Sequence, residues 1–218
     1  MDFEQPTGRL FGVYVAVVTD VQDPDGQGRV QIRLPWVGEE DGGTAKVWAR
    51  LATMMAGNDR GTWFVPDVDD EVLVSFVAGN PRHPIVTGAL WNGQDAPPES
   101  MDADNARRTI QTRTGHVLRF DDTAGAARVE ILTAGGHRLV LDDAAGGTIT
   151  VEHTAGSSIE LDAAGNINVT ANVKVQVTAP LVQVDAPMSK FSGVVQADTV
   201  ITNSVVSASY TPGAGNVW

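Results

Sequence analysis

The sequence contains no cysteine in 218 residues. Disulfide staples, thiolate metal centres and cysteine nucleophiles are therefore excluded. Positive charge is scarce: 15 Lys and Arg stand against 27 Asp and Glu, a net charge of -12. Binding to bare nucleic acid needs clustered Lys and Arg, so no nucleic-acid partner is expected. No apolar run approaches the ~20 residues of a membrane helix. The opening MDFEQPTGRL lacks both the basic and the apolar part of a secretory leader. Synthesis and assembly in the cytoplasm are expected on these grounds. Aromatic residues are few, and four of the five Trp precede residue 100. The two ends of the chain thus differ in kind.

Charge divides the chain in the same way. Residues 1–100 carry 15 acidic and 7 basic side chains, whereas residues 156–218 carry only Glu160, Asp162, Asp185, Asp198, Lys174 and Lys190. The change falls near Asn92–Ser100, where Pro97-Pro98 suits neither a helix nor a central strand. We expect a domain over 1–95, a linker over 96–112 and a second region over 113–218. In the first region, Tyr14–Val21 is β-branched and aromatic, Asp23-Pro-Asp-Gly26 is a turn, and Val30, Ile32 and Leu34 alternate with Gln31 and Arg33. Further strands are expected at 46–52, 71–77 and 84–90; no convincing helix is seen, and Leu51–Ala56 is the one outline of a short one. Five short strands in about 80 residues suit a small closed barrel of the OB type.

The second region repeats. Gly115-His-Val-Leu-Arg-Phe-Asp121, Gly136-His-Arg-Leu-Val-Leu-Asp142 and Gly156-Ser-Ser-Ile-Glu-Leu-Asp162 align, and each runs on to a second alternating strand: Val129/Ile131, Ile149/Val151 and Ile167/Val169. Such a period implies stacked units that bury a face only against neighbours. Beyond Val169 the alternation continues with few turns through Val173, Val175 and Val177, then Val182 and Val184, and later Val194-Val195, Val200-Ile201 and Val205-Val206. A lone chain of this composition cannot fill a core and leaves strand edges open. Identical chains wound about one axis remove both problems. The alternation assigns Leu118, Phe120, Leu139, Leu141, Ile159, Leu161, Ile167 and Val169 to the shared core, with Glu160 and Asp162 outside.

Two blocks carry a resemblance. Val18-Thr-Asp-Val-Gln-Asp-Pro-Asp-Gly-Gln-Gly-Arg-Val-Gln-Ile-Arg-Leu-Pro-Trp36 is similar to the opening of the OB domain in central spikes of contractile injection machines. That family takes in phage baseplate spikes and the VgrG proteins of type VI secretion. Gly61-Thr-Trp-Phe-Val-Pro66, Asp70–Phe76, Gly79-Asn-Pro-Arg-His-Pro84 and Gly88-Ala-Leu-Trp-Asn92 agree in order and spacing. The resemblance implies an all-β chain: an N-terminal OB-fold barrel followed by an intertwined trimeric β-helix or β-prism needle. It implies a homotrimer, a structural rather than enzymatic role, no cofactor, and transient contact with a target envelope. Only about ten residues precede the barrel, so a separate trimeric hub protein is expected at that end. A PAAR-like tip protein is expected at the other. No His follows His153, so the His-x-His metal tip of some phage spikes is not expected.

Other candidate sites are weaker. His116 and His137 share the parity of the core residues; they would form an axial ring or simply end strands, and the absence of convergent ligands favours the second reading. Asp67, Asp69, Asp70 and Glu71 would bind a cation or form a solvated turn, and no partner group supports the former. Asp121-Asp122 and Asp142-Asp143 fit turn initiation better than calcium binding. The barrel's Trp residues are read as core, against a carbohydrate- or receptor-binding face. From Thr199 to Trp218 no residue is charged. That run, with Tyr210, Thr211, Pro212, Gly213, Val217 and Trp218, is the expected docking surface for a tip protein, Trp218 acting as plug or anchor.

Overall fold

The computed structural model describes residues 8–38 and 44–209. The chain divides after Asn172 into two units. Among the described residues the structure is strand and turn, with two single-turn 3-10 segments and no α-helix.

The first strands arise where β-branched residues alternate with polar ones. They are β1 (Tyr14–Asp20), β2 (Arg29–Gly38) and β3 (Thr44–Leu51), then the two-residue pair β4 (Ala56–Gly57) and β5 (Arg60–Gly61), then β6 (Glu71–Phe76) and β7 (Pro84–Ala89). A closed barrel forms in the order β1-β2-β3-β7-β6, all neighbours antiparallel except β3 and β7. Its interior is filled by Ala16, Val18, Val30, Ile32, Leu34, Ala49, Val72, Val74, Phe76 and Val86. The strand alternation explains the list: Val72, Val74 and Phe76 point in, and the residues between them do not.

The turn from β1 to β2 is organised by one carboxylate. Asp23 accepts the backbone N–H of Asp25, Gln27 and Arg29 and the Arg29 guanidinium, whose Nη2 lies 2.6 Å from Oδ1. Arg29 holds that carboxyl far below the usual range.

Leu51–Ala56, the one outline of a helix, forms none; β3 ends at Leu51 and β4 begins at Ala56. One expectation fails here. The Trp side chains were expected in the core, but Trp36, Trp63 and Trp91 are exposed, Trp63 by 76%, and Trp48 is half-buried. A five-stranded barrel already close-packed with Val, Ile, Leu, Ala and Phe76 leaves no room for an indole. Trp36 instead stacks on Tyr14 with ring centroids 4.8 Å apart, and its Nε1 donates to the Val15 carbonyl.

The same unit also holds a seven-stranded antiparallel meander: β8 (Arg107–Gln111), β9 (Val117–Asp121), β10 (Arg128–Leu132), β11 (Arg138–Asp142), β12 (Thr148–Glu152), β13 (Ser158–Leu161) and β14 (Ile167–Thr170). Every strand pairs with its neighbours in sequence, so within 107–170 the ladder is closed inside one chain and only the outer edges of β8 and β14 are open. β8 occupies part of the stretch expected to act as linker. Among described residues 173–209 there is no strand pairing, and Val173, Ile201 and Val206 are exposed.

The barrel core generates a test. Ile32 is fully buried, so Ile32→Ala should cost about 2–5 kcal/mol in the barrel's urea transition. Lys46→Ala, at an exposed position of β3, should change it by less than about 0.5 kcal/mol. Tryptophan fluorescence reads the transition.

Candidate functional site

The meander has two unlike faces. Register places Ile110, Leu118, Ile131, Leu139, Val151, Ile159 and Val169 in one column across β8–β14. A second column holds Arg108, Phe120, Val129, Leu141, Ile149, Leu161 and Ile167. Directly opposed residues of antiparallel strands project to the same side, so both columns form one face. It is apolar at every rung but Arg108. The other face is mainly polar, with Arg119, Glu130, Thr150, Glu160 and Asn168 along its centre and Val117, Leu132 and Val140 as apolar exceptions.

Burial is the reverse of what a single folded chain needs. On the apolar face exposure runs from 37% at Leu161 to 69% at Ile167 among its more open members. On the polar face Glu130 is 6% exposed and Asp121 3%. The charges are covered because they are paired. Arg119 and Arg138 both reach Glu130, at 3.2 and 3.0 Å, while Arg107 and Arg128 flank Asp121 at 3.6 and 3.5 Å. The sheet therefore satisfies its polar side and leaves its apolar side open. All eight residues expected in a shared core lie on that open face. Ile110, Val129, Ile131, Ile149 and Val151 belong there too; the alternation in the second strand of each repeat carried the same signal.

The turns at the two ends of the sheet hold the remaining candidates. Asp121, Asp142 and Asp162 each accept a backbone N–H two residues on, from Thr123, Ala144 and Ala164. These are the Asx turns anticipated for that position. Asp121 is held below the usual carboxylate range first by the Thr123 hydroxyl, and Asp162 first by the Asn166 side-chain amide. His116 and His137 sit in turns, where each Nδ1 accepts an amide N–H of the next turn, Ala134 at 3.3 Å and Thr154 at 3.4 Å. His137 also stacks on His153, ring centroids 4.4 Å apart. Their visible role is to knit successive turns. Gly136, at φ +87°, permits the same approach: a Cβ there would stand 3.0 Å from Thr154 Cγ2. In the acidic cluster, Asp70 accepts the Asp67 N–H at 2.8 Å and Asp67 pairs with Arg113 at 3.0 Å, so these residues shape the entry to β6. The tip residues Tyr210–Gly213, Val217 and Trp218 lie outside the described residues.

The turn carboxylates set an acid dependence. A depressed carboxyl pKa gives stability that is present above the ordinary Asp range and lost as pH falls through the lowered value. Thermal unfolding followed by circular dichroism should thus be flat from pH 7 to about 5 and fall below about pH 4. Asp162→Asn should flatten part of that acid slope.

Comparison with known proteins completes the site. Residues 14–91 match the type VI secretion system/phage-baseplate injector OB domain. Residues 128–190 match the phage baseplate V C-terminal trimerisation domain, which includes β10–β14 and their apolar face. The chain is 30% identical over 138 residues to the type VI secretion system spike protein VgrG5 of Pseudomonas aeruginosa, covering 58% of this chain and 17% of that protein. It is 30% identical over 111 residues to the spike protein VgrG3 of Vibrio cholerae, covering 48% and 11%. It is 28% identical over 135 residues to the actin cross-linking toxin VgrG1 of Vibrio cholerae, covering 57% and 12%. The chain spans less than a fifth of the length of these relatives. With a closed barrel under one domain match and an uncovered apolar sheet under the other, the chain belongs to the injector spike family of type VI secretion systems and phage baseplates.

Proposed function

We propose that three copies of this chain form the central spike of a contractile tail or injection particle. The carrying observation is the open apolar face: of thirteen aliphatic or aromatic side chains in its two columns, ten are exposed among the described residues and Leu118, Val129 and Leu139 are half-buried. Three such faces turned towards a common axis cover one another and leave the paired charges outside. The match of this sheet to a trimerisation domain supports the same arrangement. In this reading the barrel seats on a trimeric hub, the sheet begins the needle, and residues 173–218 carry it to a tip. Sheath contraction drives the assembly through a target envelope. Its action is mechanical, resting on closely hydrogen-bonded strands rather than on a catalytic group. The particle is assembled in the cytoplasm and acts from a phage tail or secretion apparatus.

The exposed Trp36, Trp63, Phe64 and Trp91 favour a second reading, a carbohydrate- or receptor-binding barrel. Glycan-array binding by the intact protein that is lost in Trp63→Ala would support it.

Sedimentation equilibrium should give about 69 kDa, three times 23.0 kDa; a well-folded monomer ends the spike reading. Ile159→Asp would gather three carboxylates in a dry core, where desolvation and mutual repulsion oppose them. It should weaken trimer formation by about 100-fold or more, equivalent to ~2.7 kcal/mol, while Glu160→Ala leaves it unchanged. Equal assembly of both variants would mean the inner face is wrongly assigned.

The uncharged terminal run supports a docking role for Tyr210–Gly213, Val217 and Trp218. Deleting Gly213–Trp218 should preserve the trimer and abolish co-purification with a PAAR-like tip protein. Retention of that partner at full affinity places the docking surface elsewhere.

A further inference from the structure

The stretch between β7 and β8, residues 90–106, has the composition of a loose connector. Its local structure is closed instead. Asn92 Oδ1 accepts the N–H of Gln94 and of Asp95, each at 2.8 Å, and Asn92 Nδ2 donates to Asp95 Oδ2 at 2.9 Å. Asp102 Oδ1 accepts the N–H of Asp104 and Asn105 at 3.1 and 2.8 Å. Between these two sealed turns Pro97 and Pro98 fix two further φ angles.

The residue after the prolines is Glu99, and it leaves the connector for the sheet. Its Oε1 accepts the Thr109 hydroxyl of β8 at 2.7 Å and Arg119 of β9 through Nε at 2.9 Å and Nη2 at 2.8 Å. Arg107 of β8 lies 3.8 Å from Oε2. The Thr109 hydroxyl first, and then Arg119, hold this carboxyl below its ordinary range. Arg119 passes to Glu130 of β10 at 3.2 Å, Glu130 to Arg138 of β11 at 3.0 Å, and Arg138 to Glu152 of β12 at 3.5 Å. One file of alternating charge thus runs from the connector across four strands.

A second tie crosses the same junction, Asp67 to Arg113 at 3.0 Å, but both side chains are more than half exposed. Water screens a pair of that kind, and its contribution is small. The Glu99 contact differs in being largely covered, charge-assisted and made to several donors at once, so each member restrains the next.

We propose that Glu99 is a latch that fastens the connector to the sheet and makes the junction between barrel and sheet a fixed strut. Thrust delivered to the barrel then reaches the sheet without bending at residues 90–106. The inference rests on the spike reading for its purpose, but the latch itself is measured separately. The readout is hydrogen–deuterium exchange by mass spectrometry on the full chain. Glu99→Ala should raise exchange over 96–111 at least tenfold and leave β11–β13 unchanged. Thr109→Val, which removes one donor and keeps a strand-favouring shape, should raise the same stretch to a smaller extent. If Glu99→Ala leaves 96–111 at the wild-type rate, or raises β11–β13 equally, Glu99 is no latch. Sedimentation of the same samples separates the two ideas: a monomeric wild type removes the spike reading alone, and a trimer with unaltered exchange removes the latch alone.

Discussion

An antiparallel sheet has two faces, and among the described residues only the polar face of this one is covered. The polar side is sealed by guanidinium–carboxylate pairs around Glu130 and Asp121. The apolar side is left to water. Burying an Ile or Leu side chain is worth roughly 1.5–3 kcal/mol, so a face with this many of them carries a large unspent driving force. The barrel is different: Ile32, Val18, Val30, Val72 and Val74 are fully buried within it. The barrel has a filled core, and the sheet leaves one face open among the described residues. The rest of the molecule follows from that difference.

The ends of the sheet decide how well the face is aligned. Each rung must sit squarely over the next if two clean columns are to form. Asp162 grips Asn166 through both its backbone N–H and its side chain, and the histidines tie turn to turn. Gly136 leaves space that any other residue would fill. A slip of one residue would send Ile and Leu to the charged side and Arg and Glu to the open one. The turn chemistry is thus a device for register as much as for reversal.

Much of this was legible in the residues. Alternation placed β1, β3, β6 and β7 within a residue or two and found the first half of β2, and the spacing of Gly115, Gly136 and Gly156 announced the stacked hairpins. The eight residues assigned by parity to a shared core all fall on one face, because period two is rigid in a strand. What could not be read was anything set by volume or by contacts distant in sequence. Trp36, Trp63 and Trp91 were misassigned because alternation reports a direction and not whether the space there is already filled. The pairing of β3 with β7 and the reach of Glu99 to Arg119 depend on how elements far apart are brought together. The histidine contacts were hidden for the same reason: His116 meets Ala134, one hairpin further on.

The meander also bears on how the protein is made. Each of its strands pairs with the one just before it across a turn of only a few residues, so closing a rung costs little chain entropy. The barrel by contrast must bring β1 to β6 across about fifty residues. Contact order of these two kinds predicts local hairpins that form early and a barrel that closes more slowly. In the proposed trimer the hairpins finish with an apolar side still bare, and their final step is an encounter with other copies. That step is bimolecular or higher and quickens with concentration, so synthesis of several chains close together, as on one messenger, would favour completion over aggregation.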